Sequence, residues 1–193
     1  MPLIVYFVVY VLLAFAWRSL LVYRTSGINP VTLSRDDNAY GYVGRVFKAV
    51  IVGCLLAVLV NAIPELAPEL VPIPFLSHRW IALVGWVLLL SALVWVLIAQ
   101  AQMGLSWRIG IDELNTTDLV EKGLFSVSRN PIFLSMRITL LGLVFVAPSA
   151  ATLVLFVAGN LVVQVQVRLE EEHLLASHPE QYPAYRARVR RWL

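Results

Sequence analysis

The sequence predicts an all-α integral membrane protein with five transmembrane helices, a helical hairpin made of the last two, and a cytoplasmic amphipathic helix at the C-terminus. The composition supports this class, because 60% of the 193 residues are hydrophobic and only 14% are charged. A soluble domain is usually nearer a quarter charged. The mean hydropathy is +0.79, and several apolar runs approach the roughly 18–20 residues that cross a bilayer.

Polar or proline-rich segments separate the apolar runs and define the spans. The predicted spans cover residues 3–23, 42–62, 80–101, 131–146 and 150–167. Only Ala147, Pro148 and Ser149 separate the last two spans, which predicts a tight hairpin. These two spans are short for a bilayer crossing and are expected to tilt little or to lie partly inside the protein.

The distribution of Lys and Arg predicts the orientation in the membrane. Almost all of them fall on one side: Arg24, Arg35, Arg45, Lys48, Arg108, Lys122, Arg129, Arg168 and the C-terminal arginines. Arg79 alone falls on the other side. The positive-inside rule then predicts an outside N-terminus and a cytoplasmic C-terminus, in the plasma membrane if the source is bacterial. The net charge of +3 is modest and does not indicate nucleic-acid binding.

The stretch from Leu119 to Leu134 contains a clear helix start. Pro131 is favoured at the first helical position, and Asn130 before it is a preferred N-cap. The backbone N–H groups of the first turn, with Arg129 beside them, favour binding of an anion such as a carboxylate. The alternative is that Asn130 only caps the helix and Arg129 marks the membrane surface.

Polar side chains interrupt the last two predicted spans, where they are costly in lipid and usually face a cavity or a partner. Arg129, Phe133 and Arg137 recur every four residues and share one face of the fourth span. The fifth span carries a similar face made of Asn160, Gln164, Arg168 and Glu171. Together the faces predict a shared pocket that opens to the cytoplasmic side. The alternatives are a structural network without a ligand and the polar pathway of a small transporter.

Acidic residues follow the fifth span. Glu170 and His173 have the Glu-x-x-His spacing of di-iron sites, but such sites need a second pair of this kind. Neither His78 nor His178 follows a Glu by three residues, so no metal site is predicted. The other interpretations are a solvated charged turn, or carboxylates that bind amine or hydroxyl groups of a ligand beside the arginines.

The C-terminal segment has the pattern of a basic amphipathic helix. Its apolar residues at helical spacing are Tyr182, Tyr185, Val189 and Trp192, and the interspersed basic residues are Arg186, Arg188, Arg190 and Arg191. Such a helix is expected either to lie on the cytoplasmic leaflet or to pack over the pocket as a lid.

Two motifs flank the hairpin. The first comprises Leu119, Val120, Gly123, Phe125, Arg129, Asn130, Pro131 and Phe133, and the second comprises Glu170, Glu171, Leu174, Tyr182 and Tyr185. These segments resemble the isoprenylcysteine carboxyl methyltransferase and phospholipid methyltransferase families of integral membrane enzymes. The resemblance covers roughly the C-terminal half. No internal repeat or low-complexity segment is visible, so the chain is expected to be a single membrane domain, 1–193. The cofactor-binding part is expected at about 102–193.

The resemblance implies an S-adenosylmethionine-dependent methyltransferase that releases S-adenosylhomocysteine and acts on a lipophilic acceptor among membrane lipids. Arg129 and the helix start are suited to the cofactor carboxylate, and Glu170 or Glu171 to its ammonium or ribose hydroxyls. Backbone groups near Leu119, Val120 and Phe125 are expected to hold adenine. The full implied cofactor set is Leu119, Val120, Gly123, Phe125, Arg129, Asn130, Phe133, Glu170, Glu171, Tyr182 and Tyr185.

The sequence departs from the family pattern where Asn130 replaces the usual His and where Phe125 and Phe133 replace Tyr. Asn still forms hydrogen bonds but carries no charge and transfers no proton. A carboxylate acceptor needs no general base, whereas an amine, hydroxyl or thiol does, and Glu171 is the first candidate. Arg137 and Arg168 complete the predicted catalytic set. The rival functions are a small transporter and a catalytically silent membrane subunit of the same fold.

Overall fold

The computed structural model describes residues 1–32, 37–110 and 118–193. Arg35 and part of the predicted cofactor region therefore lie outside the described residues. Six helices occur in the described ranges: α1 Pro2–Ser26, α2 Ala39–Asn61, α3 Arg79–Met103, α4 Pro131–Val146, α5 Ala150–Ser177 and α6 Gln181–Arg188. Short 3-10 turns and no strands make up the rest of the regular structure within these ranges, which confirms the all-helical class.

Four helices, namely α1, α2, α3 with the 3-10 turn that follows it, and α5, are long and apolar enough to cross a membrane. The chain is accordingly an integral membrane protein. The predicted fourth span, α4, is an apolar helix of only 16 residues, at or below the roughly 17–25 residues that a spanning helix needs. The predicted fifth span was too short, because α5 continues as far as Ser177.

Local capping explains where two of the helices begin. Asn38 precedes α2, and its side chain accepts a hydrogen bond from the Gly41 N–H at 2.9 Å. Ser149 precedes α5 and forms a reciprocal capping box with Thr152, which satisfies N–H groups that the helix start would otherwise leave free. The predicted hairpin between α4 and α5 therefore turns where the polar side chains of the connector cap the next helix.

The apolar core joins the first four helices. Tyr6 from α1, Cys54 from α2, Leu89 from α3 and Leu143 from α4 belong to one buried cluster. The Tyr6 hydroxyl donates to the Leu89 carbonyl at 2.8 Å, so the polar end of this buried side chain is satisfied. Cys54 is a packed free thiol, as expected for a lone cysteine in an apolar run.

Two glycines let α3 and α4 approach closely. A Cβ atom added to Gly85 would lie 2.8 Å from the Phe145 Cβ, and one added to Gly142 would lie 2.9 Å from Leu89 side-chain atoms. Small residues allow such backbone contact between membrane helices. Farther along the pair, the Trp95 indole donates to the Pro131 carbonyl at 3.1 Å. The start of α4 is thereby held beside the second half of α3.

The last helix, α6, packs its aromatic side onto the rest of the protein. Tyr182 and Tyr185 are buried, with Leu119 and Leu174 against them. The Tyr185 hydroxyl donates to the Phe125 carbonyl at 2.7 Å. The apolar face that would enter a lipid leaflet is thus used inside the protein, and the basic residues Arg186 and Arg188 stay exposed.

Candidate functional site

A cavity of about 290 Å³ lies between the helices at the end where α4 begins, near the lower limit of the roughly 300–1,000 Å³ typical of ligand sites. Its lining is mostly apolar and aromatic. The wall contains Phe15, Val31, Gly44, Phe47, Lys48, Ile51, Gln100, Met103, Trp107, Arg108, Ile109, Gly110, Phe125, Arg129, Asn130, Pro131, Ile132, Phe133, Met136, Gln166 and Glu170.

The first turn of α4 forms part of the cavity wall. The sequence correctly placed the helix start at Pro131, but the Asn130 side chain does not cap it. Its amide instead donates to Glu171 Oε1 and to the Arg191 carbonyl, each at 3.3 Å. No described side chain caps the N–H groups of this turn, so the positive end of the α4 dipole borders the cavity and favours an anion there.

An ionic cluster of Arg129, Glu171 and Arg191 adjoins the cavity, with Arg129 and Glu171 buried and Arg191 partly exposed. Arg129 Nη2 lies 3.0 Å from Glu171 Oε1, and Arg191 Nη2 lies 2.8 Å from Glu171 Oε2. The Glu171 side chain is only 6% exposed. Because Glu171 accepts its hydrogen bonds, the pKa of Arg191 is raised above its ordinary value. Glu171 thus has both carboxylate oxygens engaged and does not line the cavity.

Arg129 also holds the C-terminal tail, residues 186–193, in place. Its Nη1 donates to the carbonyl oxygens of Arg186 and Val189, and its backbone N–H donates to the Arg190 carbonyl at 2.9 Å. With Nε and Nη2 directed at Glu171, most of its donors are used. One side chain therefore borders the cavity and anchors the tail at the same time.

Glu170 and the adjacent Glu171 have different surroundings. It lines the cavity, and among the described residues it has no hydrogen-bond or ion-pair partner. Successive residues of an α-helix point about 100° apart, so Glu170 faces the cavity while Glu171 faces the tail. Gln166, one turn earlier, shares the cavity-facing side of α5. Among the described residues of the wall, Glu170 is therefore the carboxylate that is available to a ligand.

Arg137 and Arg168, which the sequence predicted to be catalytic, lie away from the cavity wall. Arg137 Nε donates to Asn160 Oδ1 at 2.7 Å, and its guanidinium lies 4.4 Å from the centre of the Trp192 ring. Arg168 is exposed and donates to the side chain of Gln164 at 2.9 Å. The predicted polar face of α5 is thus divided among three contacts: Asn160 with Arg137 on α4, Gln164 with Arg168 at the surface, and Glu171 in the ionic cluster.

The residues of the implied cofactor set fall into two groups. Phe125, Arg129, Asn130, Phe133 and Glu170 come together on the cavity wall. The wall does not include Leu119, Val120, Gly123, Glu171, Tyr182 and Tyr185.

Tyr182 and Tyr185 support the wall from behind. Burial raises the pKa of Tyr182 to about 12, and burial also raises the pKa of Tyr185. Leu119 packs against this pair. The hydrogen bond from Tyr185 to the Phe125 carbonyl holds a residue of the wall in position.

Several polar residues of the wall were not predicted from the sequence. Gln100 is 2% exposed, and its Nε2 donates to the Ala14 carbonyl at 2.8 Å. Gln166 and Lys48 also line the cavity. Each of the three interrupts an apolar run, and polar residues inside predicted spans are the signal that would have identified them.

A family model described as phospholipid methyltransferase matches residues 80–181. The match covers more than half of the chain and extends from the start of α3 to the start of α6. No curated protein and no solved structure matches the chain significantly.

Proposed function

The chain belongs to the phospholipid methyltransferase family, and on that basis we propose that it transfers a methyl group from S-adenosylmethionine to a lipophilic acceptor. The family implies a membrane methyltransferase. The observation that carries the finer proposal is the cavity whose lining includes both the start of α4 and Glu170, neither of which has a capping or pairing side chain among the described residues. An anion-binding and a cation-binding element are thereby combined in one mostly apolar space.

The chemistry of the wall fits this cofactor. The N–H groups at the start of α4 and the remaining donor of Arg129 are suited to a carboxylate. Glu170 is suited to an ammonium or to ribose hydroxyls. Phe125, Phe133 and Trp107 offer aromatic surface for adenine and for the positive sulfonium.

When bound, S-adenosylmethionine supplies an electrophilic methyl group on a positively charged sulfur. Because methyl transfer is an in-line displacement, the chief task of the protein is to hold the reacting groups in line. The side chains of Phe125, Ile132 and Phe133 give this part of the wall an apolar surface, and displacing water from it would strengthen each charged contact inside the cavity. Glu171 contributes indirectly, because it orients Arg129.

Proton removal, where the acceptor requires it, falls to Glu170 in this proposal. Glu171 was the first candidate from the sequence, but Arg129 and Arg191 occupy both of its oxygens. Glu170 has no such partner among the described residues and faces the cavity. An amine, hydroxyl or thiol acceptor would give its proton to Glu170, whereas a carboxylate acceptor needs no base.

We place the cavity on the cytoplasmic side, with the N-terminus outside, on the basis of the positive-inside rule. The polar residues of the wall lie toward the end of the bundle where α4 begins: Lys48, Gln100, Asn130, Gln166 and Glu170. A transporter needs access from both sides, and this one-sided arrangement favours an enzyme instead.

Calorimetric titration of the purified protein with S-adenosylmethionine and S-adenosylhomocysteine tests the proposal. We expect both to bind, and Glu170→Gln to weaken binding by about tenfold or more, because a charge-assisted contact is lost. Glu172→Gln is the matched control, since Glu172 lies two residues after Glu170 on the same helix and is exposed. A folded wild-type protein that binds neither compound would contradict the proposal. Binding without methyl transfer to any lipid would favour the silent subunit.

A further inference from the structure

The connector between α2 and α3, residues 62–78, lies at the end of the bundle opposite the cavity. The cavity is lined by the first half of α2, the end of α3, the start of α4 and the second half of α5, whereas the connector adjoins the other end of each of these helices. It contains two 3-10 turns, Ala67–Leu70 and Pro74–Leu76. Prolines recur along the connector and remove backbone donors: Pro64, Pro68, Pro72 and Pro74.

Two backbone hydrogen bonds hold the connector against the hairpin between α4 and α5. The Ile73 N–H donates to the Pro148 carbonyl at 3.0 Å, and the Ala150 N–H donates to the Val71 carbonyl at 2.8 Å. Ser149, between the two hairpin residues, is buried. Irregular backbone at membrane depth is tolerated only where protein covers it and satisfies its polar groups. The connector supplies such cover to the hairpin.

The length of α4 indicates how deep this junction lies in the membrane. Because α4 has 16 residues and an α-helix rises roughly 1.5 Å per residue, α4 is about 24 Å long. The hydrocarbon core of a bilayer is about 30 Å thick. With its charged start at one face of this core, α4 would end about 6 Å short of the other face. The connector, which is bonded to the hairpin, would lie near the same depth.

The connector exposes large apolar side chains, which are costly in water. Phe75 is 73% exposed, and Trp80 at the start of α3 is 76% exposed. Val71 is 62% exposed and has a left-handed backbone conformation with a φ of 56°, which is an outlier for a β-branched residue. Such strain persists only where neighbouring contacts fix it, as the bond from Ala150 does here. Val71 would combine strain with apolar exposure in water, and lipid would remove the second cost.

This exposed apolar surface is continuous with that of the membrane-crossing helices. Leu83 and Val87 of α3 follow Trp80 and are exposed, as are Leu59 near the end of α2 and Ile63 at the start of the connector. Large exposed apolar patches mark protein or membrane contacts. Because the same surface faces lipid on α2 and α3, its extension onto the connector fits lipid as well.

We propose that residues 62–80 form an interfacial platform, a segment that lies in the lipid leaflet opposite the cavity. Val71, Phe75 and Trp80 insert among the acyl chains, and the exposed carboxylates of Glu65 and Glu69 lie among the head groups. Trp is enriched at this boundary. The platform compensates for the short α4 and shields the hairpin from water. Its partner is the lipid of that leaflet, and this role is independent of methyl transfer.

Spin labels at single cysteines measure the depth of the platform. Each cysteine is introduced into the full Cys54→Ala chain in nanodiscs, and electron paramagnetic resonance compares collisions with oxygen, which concentrates in lipid, and with a water-soluble nickel complex. We expect labels in Val71→Cys and Phe75→Cys to favour oxygen and to lie about 5–10 Å below the head groups. Val87→Cys is the lipid-facing reference. Glu69→Cys is the matched control on the connector, and its label should collide with the nickel complex.

Two results would overturn the proposal. Equal collision with the nickel complex at positions 69, 71 and 75 would place the connector in water. Protection of the labels at 71 and 75 from both oxygen and nickel would show that protein, such as a second copy of the chain, covers this surface. Thermal unfolding of each labelled protein checks its fold. Trp80→Cys replaces either variant that does not fold, and the same preference for oxygen is expected there.

Discussion

Arg129 and Glu171 form a buried ion pair, with 3.0 Å between Nη2 and Oε1, that joins the start of α4 to the last turns of α5. Arg191 of the C-terminal tail binds the same carboxylate at 2.8 Å. One acidic side chain therefore unites three segments, and through Arg129 the position of the tail is coupled to the wall of the cavity. The predictions below begin with this cluster.

Replacing Glu171 with Gln should destabilise the protein by about 3–5 kcal/mol, because Arg129, whose side chain is 9% exposed, would keep its charge without a counter-charge in a buried place. The tail should also loosen, so limited trypsin treatment is expected to cleave after Arg186, Arg188 or Arg190 sooner than in wild type. Glu172→Gln, an exposed neighbour, is the control for both measurements. An unchanged midpoint of thermal unfolding in Glu171→Gln would contradict the role assigned to the cluster.

The close approach of α3 and α4 predicts that added side-chain volume is poorly tolerated there. Gly85→Ala should lower the free energy of unfolding by about 1–3 kcal/mol, the usual cost of overpacking, because its new Cβ meets the Phe145 Cβ at 2.8 Å. Gly53→Ala is the comparison, since a Cβ there meets the flexible end of Leu155. Denaturant titration of both variants measures the difference, and equal stability would show that the helices can separate at little cost.

The buried tyrosines of α6 predict a loss of stability at alkaline pH. Burial raises the pKa of Tyr182 to about 12, from an ordinary value of 10.0. As the pH rises, the unfolded state therefore loses its proton first, and unfolding becomes easier. Between pH 10.0 and the folded-state pKa of about 12, the free energy of unfolding should fall by roughly 1.4 kcal/mol per pH unit for this group. Tyr182→Phe should show a shallower fall in the same titration, and identical slopes would count against the assignment.

Removing the Arg129 side chain should abolish detectable S-adenosylmethionine binding, because the wall loses a cation and the tail loses its anchor. Arg129→Lys keeps the charge but not the planar set of donors, so it should bind the cofactor more weakly and release the tail. Arg79→Ala, an exposed site at the start of α3, should leave calorimetric binding unchanged. Normal binding by Arg129→Ala would exclude Arg129 from the cofactor site.

Features that depend on neighbouring residues were predictable from the sequence. Apolar length alone located α1, α2, α3 and most of α5, because a backbone in lipid must satisfy its own hydrogen bonds. The hairpin at Ser149 and the start of α4 at Pro131 follow from local capping and proline chemistry. The family motif was recognised correctly for the same reason, since its residues lie close together in the chain.

Features that depend on distant contacts were not predictable in this way. Whether Glu170 or Glu171 faces the cavity depends on the rotation of α5, which reflects contacts to Arg129, 42 residues earlier, and Arg191, 20 residues later. Asn130 fits the N-cap pattern, but its amide is taken by this cluster instead. Lys48 was interpreted as a topology marker, because a basic residue near the start of a predicted span also fits the membrane surface.

The first helix contains a π-helical segment, Leu12–Trp17, in its middle. From Tyr6 onward, the buried residues of α1 are Tyr6, Tyr10, Ala14 and Val22, and Arg18 donates to the Gly104 carbonyl from the position between the last two. Every step in this series is four residues. In a regular α-helix each such step overshoots a full turn by about 40°, so the stripe would wind away from the bundle.

The wider turn of the π-helical segment compensates for this rotation. Because π-helical hydrogen bonds skip one more residue than those of an α-helix, Leu12–Trp17 shifts the rotation of the residues that follow it midway along α1. Removing a single residue from this segment would rotate the following half by about 100° and would turn Arg18 and Val22 toward lipid. The orientation of the first helix, and with it the Phe15 side of the cavity, therefore depends on the number of residues in the π-helical segment, and a change of one residue would alter it.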